Sequence, residues 1–193
     1  MKSLIAALVF SVALPALSTA ADFPADRIIA MASGDWDKDG TQDLAVVATA
    51  GEDSGEDSGL YLYLDKPDEG QLTLALSLPN TVWGSSPIMA GQQPELAALV
   101  NGSFTLTTKN ESIGRDRWRQ SLTIAYRNFD FIVAGYTYSS YDTLDPEGGS
   151  ACDLNVLTGK GKAGERAVAG PAQFVLLKDW KDEIARNICG LDN

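Results

Sequence analysis

Beyond its first twenty positions, this chain is largely a succession of short segments in which polar and apolar residues alternate. A period of two marks half-buried β-strands. Leu60-Tyr61-Leu62-Tyr63-Leu64 and Leu72-Thr73-Leu74-Ala75-Leu76-Ser77-Leu78 predict two such strands. Lys66-Pro67-Asp68-Glu69-Gly70 between them is turn chemistry. Ile28-Ile29-Ala30-Met31 and the apolar run Leu44–Thr49 predict two strands before them. Downstream, Glu95–Val100 and Ser103–Thr108 flank Asn101-Gly102, a strong hairpin signal. Arg117–Arg127 sets Trp118, Gln120, Leu122, Ile124 and Tyr126 on one face, with Arg119, Ser121, Thr123 and Ala125 on the other. Asn128–Asp130 turns the chain into Phe131–Tyr138, and Ala151–Leu157 and Ala172–Leu177 follow as strands. Gly159–Gly170 reads as a glycine-containing connection. Only at the end does the period change. Trp180, Ile184 and Ile188 recur at spacing four, behind Asp179 as a cap and ahead of Gly190, a residue suited to ending a helix. The pattern predicts a mainly β protein of antiparallel sheets with a short C-terminal helix.

The opening residues do not belong to that pattern. Lys2, the apolar run Leu4–Leu17 and the small residues Ser18-Thr19-Ala20 read as a secretory signal peptide cleaved after Ala20. The run is shorter than the ~20 residues that span a bilayer, and no later stretch is apolar and long enough to span one. The expected mature chain, residues 21–193, is enough for one well-packed domain or two small ones. The expected location is the periplasm or the exterior.

One segment interrupts the strands with concentrated charge. Asp35-Trp36-Asp37-Lys38-Asp39-Gly40-Thr41-Gln42-Asp43 places carboxylates at loop positions 1, 3, 5 and 9 and a glycine at position 6. Like charges at this density repel unless a cation lies among them, and hard oxygen ligands around a tight turn suit Ca²⁺. Asp35, Asp37, Asp39 and Asp43 would offer side-chain oxygens and Thr41 its carbonyl. The alternative is an acidic surface turn without an ion, since Asp and Gly are common turn residues. The loop is not an EF-hand: position 12 is Val46 instead of a bidentate Glu, and a strand follows in place of a helix. Gly51–Gly59 repeats Gly-Glu-Asp-Ser, but its carboxylates are adjacent pairs and it predicts a loop.

With Ser33-Gly34 before it and Leu44-Ala45 after it, the acidic loop resembles the FG-GAP or VCBS type of repeat. In that family such a loop joins two strands and binds Ca²⁺. Asn101-Gly102-Ser103-Phe104-Thr105-Leu106, Arg117-Trp118, Phe131–Tyr138 and Asp153–Lys160 are similar to segments of small exported bacterial proteins that carry a single repeat of this kind and have no characterised function. The resemblance implies a single β domain over residues 21–193. Residues 21–80 would form one propeller-blade-like unit, and residues 81–193 a second antiparallel sheet, a β-meander, with the C-terminal helix. A closed propeller needs at least about four blades of roughly 40–45 residues each, more than this chain can supply. The duplicated acidic segment and the cysteine pair depart from the family pattern. What the resemblance implies is a fold and an ion, not an activity.

Composition narrows the chemistry. There is no histidine, which removes Ser-His-Asp and Cys-His catalysis, His-ligated zinc and a histidine pH switch. Cys152 and Cys189 are the two cysteines. In an exported chain a lone pair most often forms a disulfide, and the spacing is not that of a C-x-x-C redox or metal motif. The net charge is −11, and loss of residues 1–20, which hold the cation Lys2 and no anion, would make it −12. Such a surface disfavours nucleic acid and anionic membranes and attracts basic partners.

Other candidates are diffuse. Tyr136, Tyr138, Tyr141 and Asp142, ahead of Asp145 and Glu147, suggest sugar binding or a hydrolase pair, against plain cross-strand packing. Arg115-Asp116-Arg117-Trp118-Arg119 reads as a grip for an acidic ligand or as a strand edge paired with surplus carboxylates. Asn101-Gly102-Ser103 and Asn110-Glu111-Ser112 match the glycosylation sequon. Three functions follow as expectations. The first is an exported, non-enzymatic binding or structural protein with a structural Ca²⁺ loop and an unknown protein or glycan ligand. The second is an acidic inhibitor or immunity protein of a basic hydrolase. The third is a carboxylate-dependent glycan hydrolase. The oligomeric state is left open.

Overall fold

A computed structural model of the chain describes residues 25–51, 55–67, 70–84 and 91–191. The expected signal segment and its cleavage site lie outside these residues, as do residues 52–54 of the duplicated acidic segment. After a 3-10 turn at Ala25–Arg27, the chain forms a four-stranded antiparallel meander. Its strands are β1 (Ile28–Gly34), β2 (Asp43–Ala48), β3 (Ser58–Asp65) and β4 (Leu72–Val82). The acidic loop joins β1 to β2, and Gly34 pairs with Asp43 across its base. β4 runs two residues past the boundary expected at 80.

The second sheet is also antiparallel. β5 (Glu95–Leu99), β6 (Ser103–Asn110), β7 (Asp116–Arg127), β8 (Asp130–Asp142), β9 (Asp145–Asn155), β10 (Lys160–Ala163) and β11 (Arg166–Ala169) lie side by side in chain order. β12 (Val175–Leu176) pairs with β8. A 3-10 turn at Leu177–Asp179 and the helix α1 (Glu183–Cys189) follow. The protein is thus mainly β, with two antiparallel sheets and a short C-terminal helix.

Register explains the core. Phe104 pairs with Ile124 and Leu106 with Leu122, while Leu122 faces Tyr136 and Tyr136 faces Leu154. These residues share a face. Trp36, Ala45, Val47, Leu60, Leu62 and Val82 of the first sheet meet them in one continuous buried cluster. Cys152 of β9 and Cys189 of α1 form a disulfide across 37 positions, with Cα atoms 5.8 Å apart. No described helix is long and apolar enough to cross a membrane.

The structure corrects several local expectations. Residues 159–170 contain the hairpin β10–β11, paired to β9 on its other side. The segment Lys160-Gly161-Lys162-Ala163 has too few apolar residues to show a period, and the ladder to β9 defines it. The helix does not start at Asp179: Trp180 is extended and α1 begins at Glu183. A seven-residue helix owes little to propensity and much to what it packs on. Gly190 does end it, at φ 72°. Asp142 and Asp145 pair across a tight hairpin. β7 is an interior strand between β6 and β8, not an edge. Asn110 is buried, and its amide binds the Ile113 amide and carbonyl, the Asp116 carbonyl and Gln92, so its sequon is spent on a turn.

Candidate metal loop and aromatic cleft

The acidic loop brings three of its four aspartates together. One carboxylate oxygen each from Asp35, Asp37 and Asp39 lies within 4.8 Å of the others. Oxygens bound to one Ca²⁺ at about 2.3–2.6 Å stand no more than about 5 Å apart, so the spacing suits a shared ion. The turn is built by backbone donors to these side chains. The Gly40 amide donates to Asp35 Oδ2 at 3.1 Å, the Asp39 amide to Asp37 Oδ1 at 3.2 Å and the Thr41 amide to Asp39 Oδ1 at 2.8 Å. Lys38 at φ 66° and Gly40 at φ 95° take the left-handed conformations that close it.

Asp43 sits apart from this trio. It is fully buried; its Oδ2 accepts from the Trp36 amide at 2.7 Å and its Oδ1 from the Asp65 amide at 3.0 Å. It fastens the loop to the end of β3. Thr41, expected to offer its carbonyl, uses its hydroxyl to donate to Asp39 Oδ1 at 2.6 Å. Electrostatics separate the carboxyls. Burial, supported by the Asp39 and Asp35 charges, pushes Asp37 up from the ordinary value. Burial also raises Asp43 against the pull of its amide partners, while the Thr41 donors hold Asp39 down. One oxygen remains unmatched: Asp35 Oδ1 is buried and has no hydrogen-bond partner. A buried carboxylate oxygen without a donor is costly, and a cation would satisfy it.

Trp36 anchors the loop from below. Its indole is 1% exposed and lies 4.9 Å from the Phe104 ring of β6. The β5–β6 turn meets the same loop. Leu99 pairs with Ser103, leaving Val100-Asn101-Gly102 as a three-residue turn with Gly102 at φ 76°. A Cβ on Gly102 would come within 3.3 Å of the Asp35 carbonyl.

A second site is not legible as one in the sequence. A cleft of about 770 Å³ opens where the core face of the second sheet runs out beyond Leu106 and Leu122. Trp118, Gln120 and Tyr138 of the second sheet line it, together with Trp83 just past β4 and with Trp180, Lys181, Asp182, Glu183 and Arg186 near the end of the chain. The Trp83 and Trp118 rings stand 4.9 Å apart at 50°. Asp182 Oδ1 accepts from Trp180 Nε1 at 2.7 Å and Oδ2 from Gln120 Nε2 at 2.9 Å. Tyr136 donates its hydroxyl to Gln120 Oε1 at 3.0 Å, and burial, then the Asp182 charge, raises its pKa. The Arg186 guanidinium lies 5.4 Å from the Tyr138 ring centre. In sequence, Trp118 shows as a member of a strand face and of the basic segment Arg115–Arg119, Trp180 as a member of a helix face, and Trp83 carries no signal.

The remaining candidates are engaged elsewhere. Arg115 pairs with Asp142, whose carboxyl that bond holds below its ordinary value. Arg119 pairs with Glu95 at 2.7 Å, and Arg117 donates to the Ile113 carbonyl at 2.9 Å. Tyr136 is core, and exposed Tyr141 lies near the distal end of the β8–β9 hairpin. No family model matches the chain, and neither curated proteins nor solved structures show a significant match.

Proposed function

We propose that this is an exported, non-enzymatic binding protein whose four-stranded unit is a single FG-GAP/VCBS-type blade held by a structural Ca²⁺. The buried, unpartnered Asp35 Oδ1, beside the clustered oxygens of Asp37 and Asp39, carries the reading. Asp35, Asp37 and Asp39 would hold the ion, which supplies the countercharge their crowding calls for. Asp43 and Trp36 set the loop's shape from beneath. The disulfide supports export into an oxidising compartment, periplasmic or extracellular, which a signal peptide over residues 1–20 would direct. Asp142 is committed to Arg115, and both oxygens of Asp182 hold donors in place. These carboxylates serve as fasteners, which favours binding over hydrolysis.

Melting with and without calcium tests the ion. At a hundredfold excess over its dissociation constant, calcium should raise the melting temperature by about 5–10 °C relative to chelator. Asp37→Ala should erase that difference. Identical curves for the wild type in calcium and in chelator would remove the ion from the reading.

A further inference from the structure

We infer that the aromatic cleft binds an uncharged oligosaccharide, with Trp83, Trp118 and Trp180 as stacking faces and Gln120 and the polar rim as hydrogen-bonding groups. The inference rests on the reading of the chain as a binding protein and gives that reading a ligand class.

Three of the chain's four tryptophans line this one cleft, and each is only partly buried. A pyranose ring presents axial C–H bonds on its faces and hydroxyls around its rim. It therefore needs flat apolar platforms flanked by polar groups. The cleft offers both: indoles for the faces, and Thr81, Thr108 and Gln120 for the rim. Its volume lies in the range of small-ligand sites and has room for roughly two to four sugar rings.

Charge selects against other ligands. Lys181 and Arg186 stand beside Asp182 and Glu183 in the same lining, so the cleft carries no formal excess of either sign. The net charge of −11 repels polyanions, nucleic acid included. A quaternary ammonium ligand would favour an aromatic cage without cations, and this lining holds two.

The groups are also held in place by the protein itself. Asp182 clamps the Trp180 indole and the Gln120 amide, Tyr136 holds the other end of that amide, and Trp83 and Trp118 brace each other. Preorganised side chains lose little freedom on binding.

The test titrates the full-length mature protein with cellotetraose, chitotetraose, maltotetraose and laminaritetraose. Polygalacturonate and a tryptophan-containing peptide serve as comparison probes. Indole N–H resonances are followed by NMR and affinity by calorimetry. At least one uncharged tetrasaccharide should bind, shifting the resonances of Trp83, Trp118 and Trp180 and leaving that of buried Trp36 in place. Trp180→Ala and Trp83→Ala should each weaken binding about tenfold or more. Where an alanine variant fails to fold, the phenylalanine variant replaces it, and the wild-type resonance map stands without any variant. Silence from every uncharged probe would overturn the inference, as would binding that spares the three indoles, or capture of the peptide or polygalacturonate alone. The products of each titration are chromatographed: a bound glycan that is also cleaved would uphold the cleft as the site and overturn the non-enzymatic reading. The calcium response is measured separately, so loss of glycan binding leaves it intact.

Discussion

The Trp36 indole meets the Phe104 ring at 4.9 Å between centroids, although Trp36 belongs to the acidic loop of the first sheet and Phe104 to β6 of the second. This acidic loop is therefore fastened by one of the most buried side chains described. A Cβ on Gly34 would fall 2.3 Å from Trp36 Cζ3, so the indole lies directly on the glycine that ends β1. Carboxylates at the surface and an indole beneath them make the loop a joint between the two sheets.

Removing the indole should loosen that joint. Trp36→Ala is expected to lower stability by about 3–5 kcal/mol, from lost burial and the cavity left behind. Gly34→Ala should cost about 1–3 kcal/mol by forcing the ring aside. Urea denaturation measures both. A Trp36→Ala protein as stable as the wild type would show that the two sheets do not depend on this contact.

Glu95 of β5 pairs with Lys109 and Arg119, and those bonds, Lys109 first, hold its carboxyl below the ordinary 4.5. The folded pKa thus lies below the unfolded one. The stabilisation is complete above the unfolded value and fades as pH falls through the folded one. Glu95 is about half exposed, so solvent limits the effect to no more than about 1 kcal/mol. Glu95→Gln should be less stable than the wild type at pH 7 by up to that amount and equal to it near pH 2. A gap that widens toward acid would reverse the assignment.

Asn128 and Phe129 form the two-residue turn between β7 and β8, at φ 53° and 66°. Phe129 is 91% exposed and gains nothing from packing in return for its left-handed backbone. Phe129→Gly should stabilise the protein by about 1 kcal/mol, because glycine adopts this conformation without steric conflict. Thermal melting would detect the change, and a destabilised variant would point to a role for the exposed ring.

Cys152–Cys189 closes a long loop and ties α1 to β9. Opening it should cost about 4 kcal/mol in the chain-entropy account. Amides of α1 should then exchange faster than those of β7 and β8. Uniform exchange throughout would mean that the helix holds its place by packing alone.

Period and turn chemistry make most strands legible in the sequence, because a half-buried strand must alternate to bury one face. The β10–β11 hairpin is not legible there, since only Val168 in it is buried and its backbone ladder leaves no mark on side-chain choice. Nor does the sequence place the start of α1, because Asp182, the residue just before the helix, holds Trp180 and Gln120 and makes no cap bond of its own. The acidic loop is legible because its carboxylates are close in sequence, so local geometry alone brings Asp35, Asp37 and Asp39 together. Even there, the burial of Asp43 cannot be read, since it depends on the Asp65 amide at the end of another strand.

By itself, then, the sequence determined the β architecture and the acidic turn, since each follows from neighbours within a few residues, and the absence of histidine chemistry, which composition alone decides. Tertiary structure decided which surface became a cleft. Trp83, Trp118 and Trp180 come from the end of one sheet, the middle of another and an extended stretch before a helix. Only packing the two sheets on a common core, with the chain's end folded across the open part of it, sets three indoles around one cavity.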